Sequence, residues 1–549
     1  MNAYKFPCGC EFEITNSDIK PNDGLQGIKI DFDNLRLDCP VTWDLLQSGH
    51  TKGVFQLETN LGRTWAKKAV PENITEISAL VALLRPGVLK AIVDGKSMSQ
   101  HYCDRKRQID EIKYFHDALE PIFNDTQGIM LYQEQAMRIA QDIAGFDLQE
   151  ADVLRKSIGK KDAKLMAQLK SKFIDGCKKK GIVTEEEAEE IFGWIQESQK
   201  YSFNKSHSVS YGLIVYWSAY VKAHFPLHFY TSWLYYSHDK MDPQEEMQLL
   251  ISDARYFDIE IRPPSLQNLP RNDIEHFSLF DDKVYFGLGD IKRIGSNLAN
   301  KIIENIETVE KKLGRNIKDW TWNYFLIFFS DKVSTVAING IIMAGATDYM
   351  GEDRQKKLHD YNSWKKLTNK EREWIQDNCD YTDLIKSIEE LIENKPRLSI
   401  RRKEKLHDVI KNLKKPPFDL KDSPHTIATK ESELLGVPIT YTKLDNCETD
   451  LVKNTTCKEF LHGKSGNMTL AVEITNSNEY IIKKGQMKGQ KMRFLTVEDE
   501  TASIDSVVVF PKTVEGNQPI LINGATVLLF GKRDKQRTDS FVVEKILPI

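Results

Sequence analysis

Apolar residues follow one spacing over the first half of this chain and another at its end, and no single layer of structure satisfies both. From Lys52 to about His238 the period is mainly helical, as in Gln133 to Ile143 and Glu185 to Ile195, with breaks at Arg85-Pro86-Gly87 and His224-Phe225-Pro226. The last hundred residues instead carry strand-like runs at Met468 to Ile474, Met492 to Glu498, Ser503 to Phe510, Ala525 to Phe530 and Phe541 to Ile546. Five strands in a small unit predict a C-terminal β-barrel of the OB-like kind. The fold class is therefore multidomain α+β, since 549 residues exceed what one hydrophobic core can organise.

Between the helical and strand-rich parts, Pro263-Pro264 and Pro270 mark a linker, followed by a short strand near Lys283 to Gly287 and helical pieces to about Asp348. Residues 351–430 are highly charged and read as a helical linker region. Asn394 to Lys415 there holds nine Lys/Arg against two Asp/Glu, a pattern equally suited to a solvated helix face and to a DNA contact. Near the N-terminus, Gly27-Ile28-Lys29-Ile30-Asp31-Phe32 alternates after Asn22-Asp23-Gly24, predicting a turn and a short strand from which Asp31 projects.

A composition of 40% hydrophobic and 28% charged residues excludes a disordered chain. The net charge of -4 gives no global case for nucleic-acid binding, so that case rests on local patches such as Glu150 to Gly181, with ten Lys/Arg against four Asp/Glu. Eight scattered cysteines fit a reducing cytoplasm. Cys8-x-Cys10 could open a metal site, but no second pair follows at ligand spacing, so a free-thiol loop is the expectation. No apolar signal core opens the chain, and the run Leu213 to Val221 is too short to span a bilayer, so no membrane partner is expected.

Two stretches concentrate functional side chains. In Leu154-Arg155-Lys156-Ser157-Ile158-Gly159-Lys160-Lys161, Lys156 and Lys160 lie four apart and share one helical face, a cationic surface suited to phosphates. In Phe203-Asn204-Lys205-Ser206-His207-Ser208, a polar turn leads into the aromatic-rich stretch Tyr211 to Phe225. That turn suits a phosphate site on a rigid helix, or simply a helix N-cap by Asn204, Ser206 or Ser208.

These two blocks, with Gly53-Val54-Phe55-Gln56-Leu57-Glu58, Leu84-Arg85-Pro86-Gly87 and Tyr132-Gln133-Glu134-Gln135, resemble in order and spacing the fingers of the C-family replicative DNA polymerases, the bacterial DNA polymerase III α subunits of the DnaE type. The resemblance continues through Lys222-Ala223-His224-Phe225-Pro226, Gly287-Leu288-Gly289-Asp290-Ile291-Lys292, Gly345-Ala346-Thr347-Asp348, Glu433-Leu434-Leu435-Gly436 and Met492-Arg493-Phe494-Leu495-Thr496-Val497-Glu498-Asp499. It implies an N-terminal extension at 1–26, a palm remnant at 27–52, fingers at 53–270, a helix-hairpin-helix duplex-binding region at 271–350, the charged helical linker region at 351–430 and the OB-like domain at 431–549.

The resemblance further implies template-directed DNA synthesis with dNTP substrates and two Mg2+ ions held by three palm aspartates. Asp31, in Lys29-Ile30-Asp31-Phe32, resembles the third of these, and no counterpart of the other two is found. Asp33, where the family has an apolar residue, is expected in an early, solvated turn. By the same carry-over, Arg155, Lys156, Lys160, Lys161, Lys205 and His207 surround the incoming triphosphate, with Gln133 and Gln135 lining the pocket. Lys292, Arg293, Gly295 and Ser296 form a hairpin turn gripping a DNA phosphate, and Lys532 and Arg533 bind template in the OB unit. The implied partners are primer-template DNA, a second polymerase chain with the PHP, palm and thumb regions, and a sliding clamp docking on Pro417-Phe418-Asp419-Leu420. The resemblance implies half of a split polymerase, assembled non-covalently in a bacterial or phage-infected cell. The alternative is a non-catalytic DNA-binding or assembly subunit derived from such an enzyme.

Overall fold

A computed structural model describes residues 2–14, 28–160, 163–198, 202–267, 276–379, 381–447, 452–535 and 539–549. The chain divides into two compact units, Met1–Ser17 with Gly27–Pro226, and Asp18–Gln26 with Leu227–Ile549.

The first unit begins with a hairpin of strands Asn2–Lys5 and Glu11–Ile14, extended by Ile28–Lys29 into a three-stranded antiparallel sheet. The strand expected through Phe32 thus stops at Lys29. Asp31 is the reason: its carboxylate accepts from the Asp33 amide at 3.1 Å and from Asn34 Nδ2 at 2.8 Å, an Asx turn that competes with strand pairing. Asp33 lies exposed in this turn.

The rest of the unit is helical, and its helices start where the sequence supplies acceptors. Thr59, Asn73, Ser97 and Asn204 each cap a following helix through a side-chain oxygen. The helices Gln133–Asp142, Leu148–Lys160, Ala163–Lys180 and Glu185–Ser198 enclose one core built from Ile139, Ile143, Leu154, Phe173, Ile191, Phe192 and Ile195. The helix Lys205–His224 packs along Ile74–Leu83. Their approach is close enough that a Cβ at Gly212 would meet Ser78 Oγ at 2.5 Å, while Ser208 Oγ donates to the Ser78 carbonyl at 2.6 Å.

In the second unit, the segment expected as a charged helical linker region is helical, and its helices pack as an array: Arg354–Trp364, Asn369–Asn378, Leu384–Asn394, Ile400–Lys414 and Pro424–Leu435. Tyr361, Trp364, Ile375, Ile388, Leu391 and Leu406 are fully buried. High charge misled the sequence reading because several charges are themselves interior. The Arg354 and Glu431 side chains are 2% and 0% exposed and pair at 2.9 Å. Lys357 is also buried, with Nζ donating to the Thr347 carbonyl at 2.8 Å.

Burial pushes the Lys357 ammonium down to about 8. An unfolded lysine keeps its proton to about pH 10.4, so the folded unit releases its proton first. Stability should therefore rise from about pH 8 to about pH 10. Thermal unfolding of wild type and Lys357→Met across this window checks it: the wild type should gain on the variant, and parallel curves would rule out the shift.

The C-terminal strands Met468–Ile481, Lys491–Glu498, Ser503–Val509, Thr526–Arg533 and Phe541–Pro548 close a barrel. Counted in chain order, they follow one another around it as second, third, fifth, fourth and first. The third and fifth strands pair in parallel and the other pairs are antiparallel, the arrangement of an OB-type barrel. Leu470, Val472, Leu495, Val497, Val507, Val527, Leu529, Phe541 and Val543 fill it. The register shifts after Phe530, where a Cβ on Gly531 would lie 2.1 Å from the Val542 carbonyl. No helix among the described residues is long and apolar enough to cross a membrane.

Candidate functional site

The polar turn at Phe203 to Ser208 is both a helix cap and a cationic edge. Asn204 Oδ1 accepts the His207 amide at 2.9 Å and the Ser206 hydroxyl at 2.6 Å, starting the helix Lys205–His224. The turn is tied to the start of the helix Gln133–Asp142: the Gln133 amide donates to the Phe203 carbonyl at 2.8 Å, and the Phe203 amide to the Leu131 carbonyl at 2.9 Å. Glu134 accepts the Lys205 amide at 2.8 Å. Two helix starts, with the positive ends of their peptide dipoles, thus lie side by side.

On this edge Lys205 Nζ is 5.6 Å from the Tyr132 ring and 3.6 Å from Asp125, with its side chain 42% exposed. His207 is exposed and its ring lies 4.0 Å from Tyr211 and 5.3 Å from Phe203. Arg85, missed by the sequence reading as a site residue, lies over the Phe203 ring at 3.9 Å. Burial lowers its pKa. Its Leu-Arg-Pro-Gly context had marked a break between helices and a block of the family resemblance, without assigning Arg85 a role.

Lys205, His207 and Gln133 are therefore brought together. Gln135 is not part of the edge. It is buried, with Oε1 accepting the Leu131 and Tyr132 amides and Nε2 donating to Ile122 and Thr126, so its role is to hold the turn below. Arg155 and Lys156 lie on the helix Leu148–Lys160, which packs on Gln133–Asp142. Both pair with Asp152 of their own helix, at 2.8 and 2.6 Å, and hydrogen bonds from Lys156 and Arg155 hold the Asp152 carboxyl below its usual range. Lys160 ends this helix, its side chain not described, and Lys161 lies outside the described residues.

Asp31 is exposed, and both its oxygens accept hydrogen bonds within the turn. Among the described residues it belongs to no cluster of three or more metal-ligating groups. One carboxylate so engaged does not fit a pair of magnesium ions. The group that does converge is Cys8, Cys10, Cys39 and His224, whose ligand atoms all lie within 4.8 Å of one another. The turn expected as a free-thiol loop at Cys8 and Cys10 thus lies beside two further potential ligands. Sequence spacing concealed the cluster because Cys39 and His224 stand 185 residues apart.

In the second unit, the turn before the helix Gly295–Leu313 exposes Lys292, Arg293 and Gly295, with Ser296 half-buried. Arg293 and Gly295 have φ of +76° and +56°, and the Lys292 amide donates to the Leu434 carbonyl at 2.8 Å. A helix follows this turn as expected, but strands Ser278–Phe280 and Lys283–Tyr285 precede it in place of the hairpin's first helix.

In the barrel, Lys532 pairs with Glu544 across neighbouring strands at 2.5 Å and stays half exposed. Arg533 is turned inward. It donates to the carbonyls of Phe460 and Lys464 and lies 4.1 Å over the Phe460 ring, capping the helix Cys457–Leu461. These contacts hold its guanidinium against the end of that helix. The hairpin joining the first two barrel strands offers more: Tyr480 is 41% exposed with its ring 6.0 Å from Phe494, and Lys483, Lys484 and Lys488 are exposed beside it. The run Lys483-Lys484-Gly485-Gln486-Met487-Lys488 was its sequence signal. Phe418 is exposed on its loop and touches His359 edge-on at 6.0 Å.

With these surfaces placed, comparison with known proteins is decisive about kinship. Residues 16–181 match the family described as the bacterial DNA polymerase III alpha subunit finger domain. The match includes Asp31 and the whole segment 27–52 expected as palm. The chain is 32% identical over 525 residues to the DNA polymerase III subunit alpha of Aquifex aeolicus, covering 95% of this chain and 40% of that protein. It is 30% identical over 519 residues to that of Thermus aquaticus, covering 93% and 38%, and 30% identical over 540 residues to that of Pseudomonas aeruginosa, covering 95% and 42%. The chain is thus similar along nearly its whole length to bacterial DNA polymerase III alpha subunits, and it spans about 40% of the length of these relatives.

Proposed function

We propose that this chain supplies the nucleotide-handling fingers and the DNA-binding modules of a DNA-directed DNA polymerase, and that synthesis requires a second chain carrying the carboxylates for two magnesium ions. The observation that carries this reading is the kinship along 95% of the chain, with a finger-domain match at residues 16–181.

In this proposal the edge formed by Lys205, His207 and the two helix starts receives the triphosphate of the incoming nucleotide, with Arg85, Arg155 and Lys156 adding positive charge around it. Fixed cations and helix-start amides orient the phosphates and offset their charge as the transfer proceeds, which is most of what phosphoryl transfer asks of a protein. Magnesium, when bound, would activate the primer oxygen and neutralise the leaving group. Among the described residues Asp31, engaged within its own turn, does not fit that metal pair, and no step is assigned to it through the ions. Primer-template DNA would be held by the turn at Lys292 to Ser296 through backbone phosphate, and single-stranded template by the barrel hairpin. The exposed Phe418 loop is the proposed contact for a sliding clamp.

Primer extension in magnesium and dNTPs tests the proposal. The chain alone should bind primer-template DNA with an affinity that falls with salt and synthesise nothing, and synthesis should appear with the complementary polymerase chain. Robust synthesis by the chain alone would overturn the division of labour. Binding with no synthesis from any complementing chain would favour a non-catalytic DNA-binding subunit.

Asp31→Asn belongs in the same assay. Loss of synthesis by more than about 100-fold would make Asp31 a metal ligand; the turn geometry favours the other outcome, activity close to wild type, because Asn still accepts the Asp33 amide.

Single-stranded DNA binding tests the barrel hairpin. Stacked bases contribute about 1–3 kcal/mol each, so Tyr480→Ala should weaken oligonucleotide binding about fivefold or more while leaving the barrel folded. Unchanged affinity in fluorescence anisotropy would remove the hairpin from the template path.

A further inference from the structure

The fingers unit holds a cluster that the polymerase reading leaves without a task. Cys8 and Cys10 sit in the tight turn closing the N-terminal hairpin, where the Phe6 amide donates to the Cys10 carbonyl at 2.8 Å and Gly9 adopts φ +87°. Cys39 immediately precedes the helix Pro40–Ser48, and His224 is the last residue of the helix Lys205–His224. Three separate parts of the chain thus aim four ligand atoms at one point. All lie within 4.8 Å of one another, and Cys39 Sγ and His224 Nε2 are 3.2 Å apart.

We propose that Cys8, Cys10, Cys39 and His224 bind one zinc ion as a closed structural site. The donor set, three thiolates and an imidazole, is one of the standard sets for tetrahedral zinc. Bond lengths of about 2.3 Å to sulfur and about 2.0 Å to nitrogen place the ligand atoms roughly 3.5–3.8 Å apart around the ion. The observed separations reach this with side-chain adjustments of about 1 Å or less. Cys10, Cys39 and His224 are 3%, 0% and 9% exposed and Cys8 is half-buried, and four protein ligands complete a tetrahedral shell with no open position for substrate. That is the mark of a structural rather than a catalytic zinc.

The surroundings hold the ligands in place. The Phe6 and Tyr220 rings flank the His224 imidazole at 4.8 and 4.3 Å. The Cys39 amide donates to the Tyr216 hydroxyl at 3.2 Å, which itself donates to the Arg36 carbonyl at 2.8 Å. Arg36 Nη1 donates to the Cys8 carbonyl at 3.0 Å, joining the hairpin turn to the segment that carries Cys39. A pair of cysteines joined as a disulfide would strand the other two ligands, and all eight cysteines are free thiols.

Uptake of Zn2+ releases three thiol protons to solvent and leaves a site of net charge one minus. Because the ligands come together only in the folded chain, the binding free energy acts as folding free energy. The ion would clip the N-terminal hairpin to the far end of the helix whose other end carries Lys205 and His207, so hairpin and helix stand or fall together.

The test is metal analysis of the full chain purified under reducing conditions. One zinc per chain is expected, and Co2+ exchanged for it should give the thiolate-to-cobalt charge-transfer band and the intense d–d bands of a tetrahedral thiolate site. The doubly substituted Cys8→Ser, Cys10→Ser chain should lose both zinc and spectrum, Cys447→Ser should keep both, and His224→Cys should restore a tetrahedral spectrum at altered wavelengths. A reduced wild-type chain with native circular dichroism that retains no zinc and gives no tetrahedral cobalt spectrum overturns the proposal. So does zinc retained in full by the double variant, or iron found in place of zinc. The cobalt measurement on wild type stands even if a variant fails to fold.

Discussion

Glu431→Ala is expected to destabilise the C-terminal unit by about 3–5 kcal/mol, the largest stability effect of any single substitution considered for this chain. Glu431 is fully buried and accepts the Ile439 and Thr440 amides at 2.7 Å each, together with the Arg354 guanidinium at 2.9 Å. Arg354 in turn donates to the Met343 carbonyl at 3.0 Å and pairs with Asp348 at 2.7 Å. Removing Glu431 leaves a buried guanidinium short of one counter-charge and two amides without their acceptor, each costly in an interior of low dielectric. Gly345 belongs to the same device: its φ is +93°, and a Cβ there would lie 2.4 Å from Arg354 Nη2. Thermal unfolding of the full chain, followed by tryptophan fluorescence, checks the claim. The double variant Arg354→Met, Glu431→Ala should lose less than the sum of the two single variants, because the pair is removed together. A loss under about 1 kcal/mol for Glu431→Ala would mean that water reaches the pair.

Lys205→Ala should carry the largest functional effect, lowering nucleotide incorporation by the complemented polymerase about 100-fold. Lys205 stands at a helix start beside a second helix start, and the acidic partner it has among the described residues, Asp125, is a loose one at 3.6 Å. Its charge is available to a phosphate. Lys156 is spent differently, since Asp152 holds it at 2.6 Å and holds Arg155 as well. Lys156→Ala should therefore cost about tenfold or less. Single-turnover incorporation at saturating and sub-saturating dNTP separates the two effects, and the reverse order of damage would move the triphosphate away from the 203–208 turn.

Much of the architecture was legible without coordinates. Period 3.6 in Gln133 to Ile143 and period 2 in each of the five C-terminal runs became the helices and barrel strands expected of them, because amphipathic spacing reports which face of an element is buried. Asn204 was legible as a cap for the same local reason. The misreadings share a different cause. Residues 351–430 look like a linker by charge, yet Arg354, Lys357 and Glu371 are interior. Arg533 also caps a helix more than sixty residues away in sequence, a contact that no local pattern shows. Asp31 looks like a strand carboxylate, yet its own neighbours fold it into a turn.

By itself, then, the sequence determined the kinds of elements, the resemblance to the polymerase fingers and the cationic character of the 203–208 turn, since each depends on residues within a few positions of one another. The tertiary structure alone decided which charges are buried in pairs, which cations still face solvent, and that Cys39 and His224 join Cys8 and Cys10. Those outcomes depend on contacts between distant parts of the chain, where desolvation and ligand convergence are set by packing and leave no periodic trace in the order of residues.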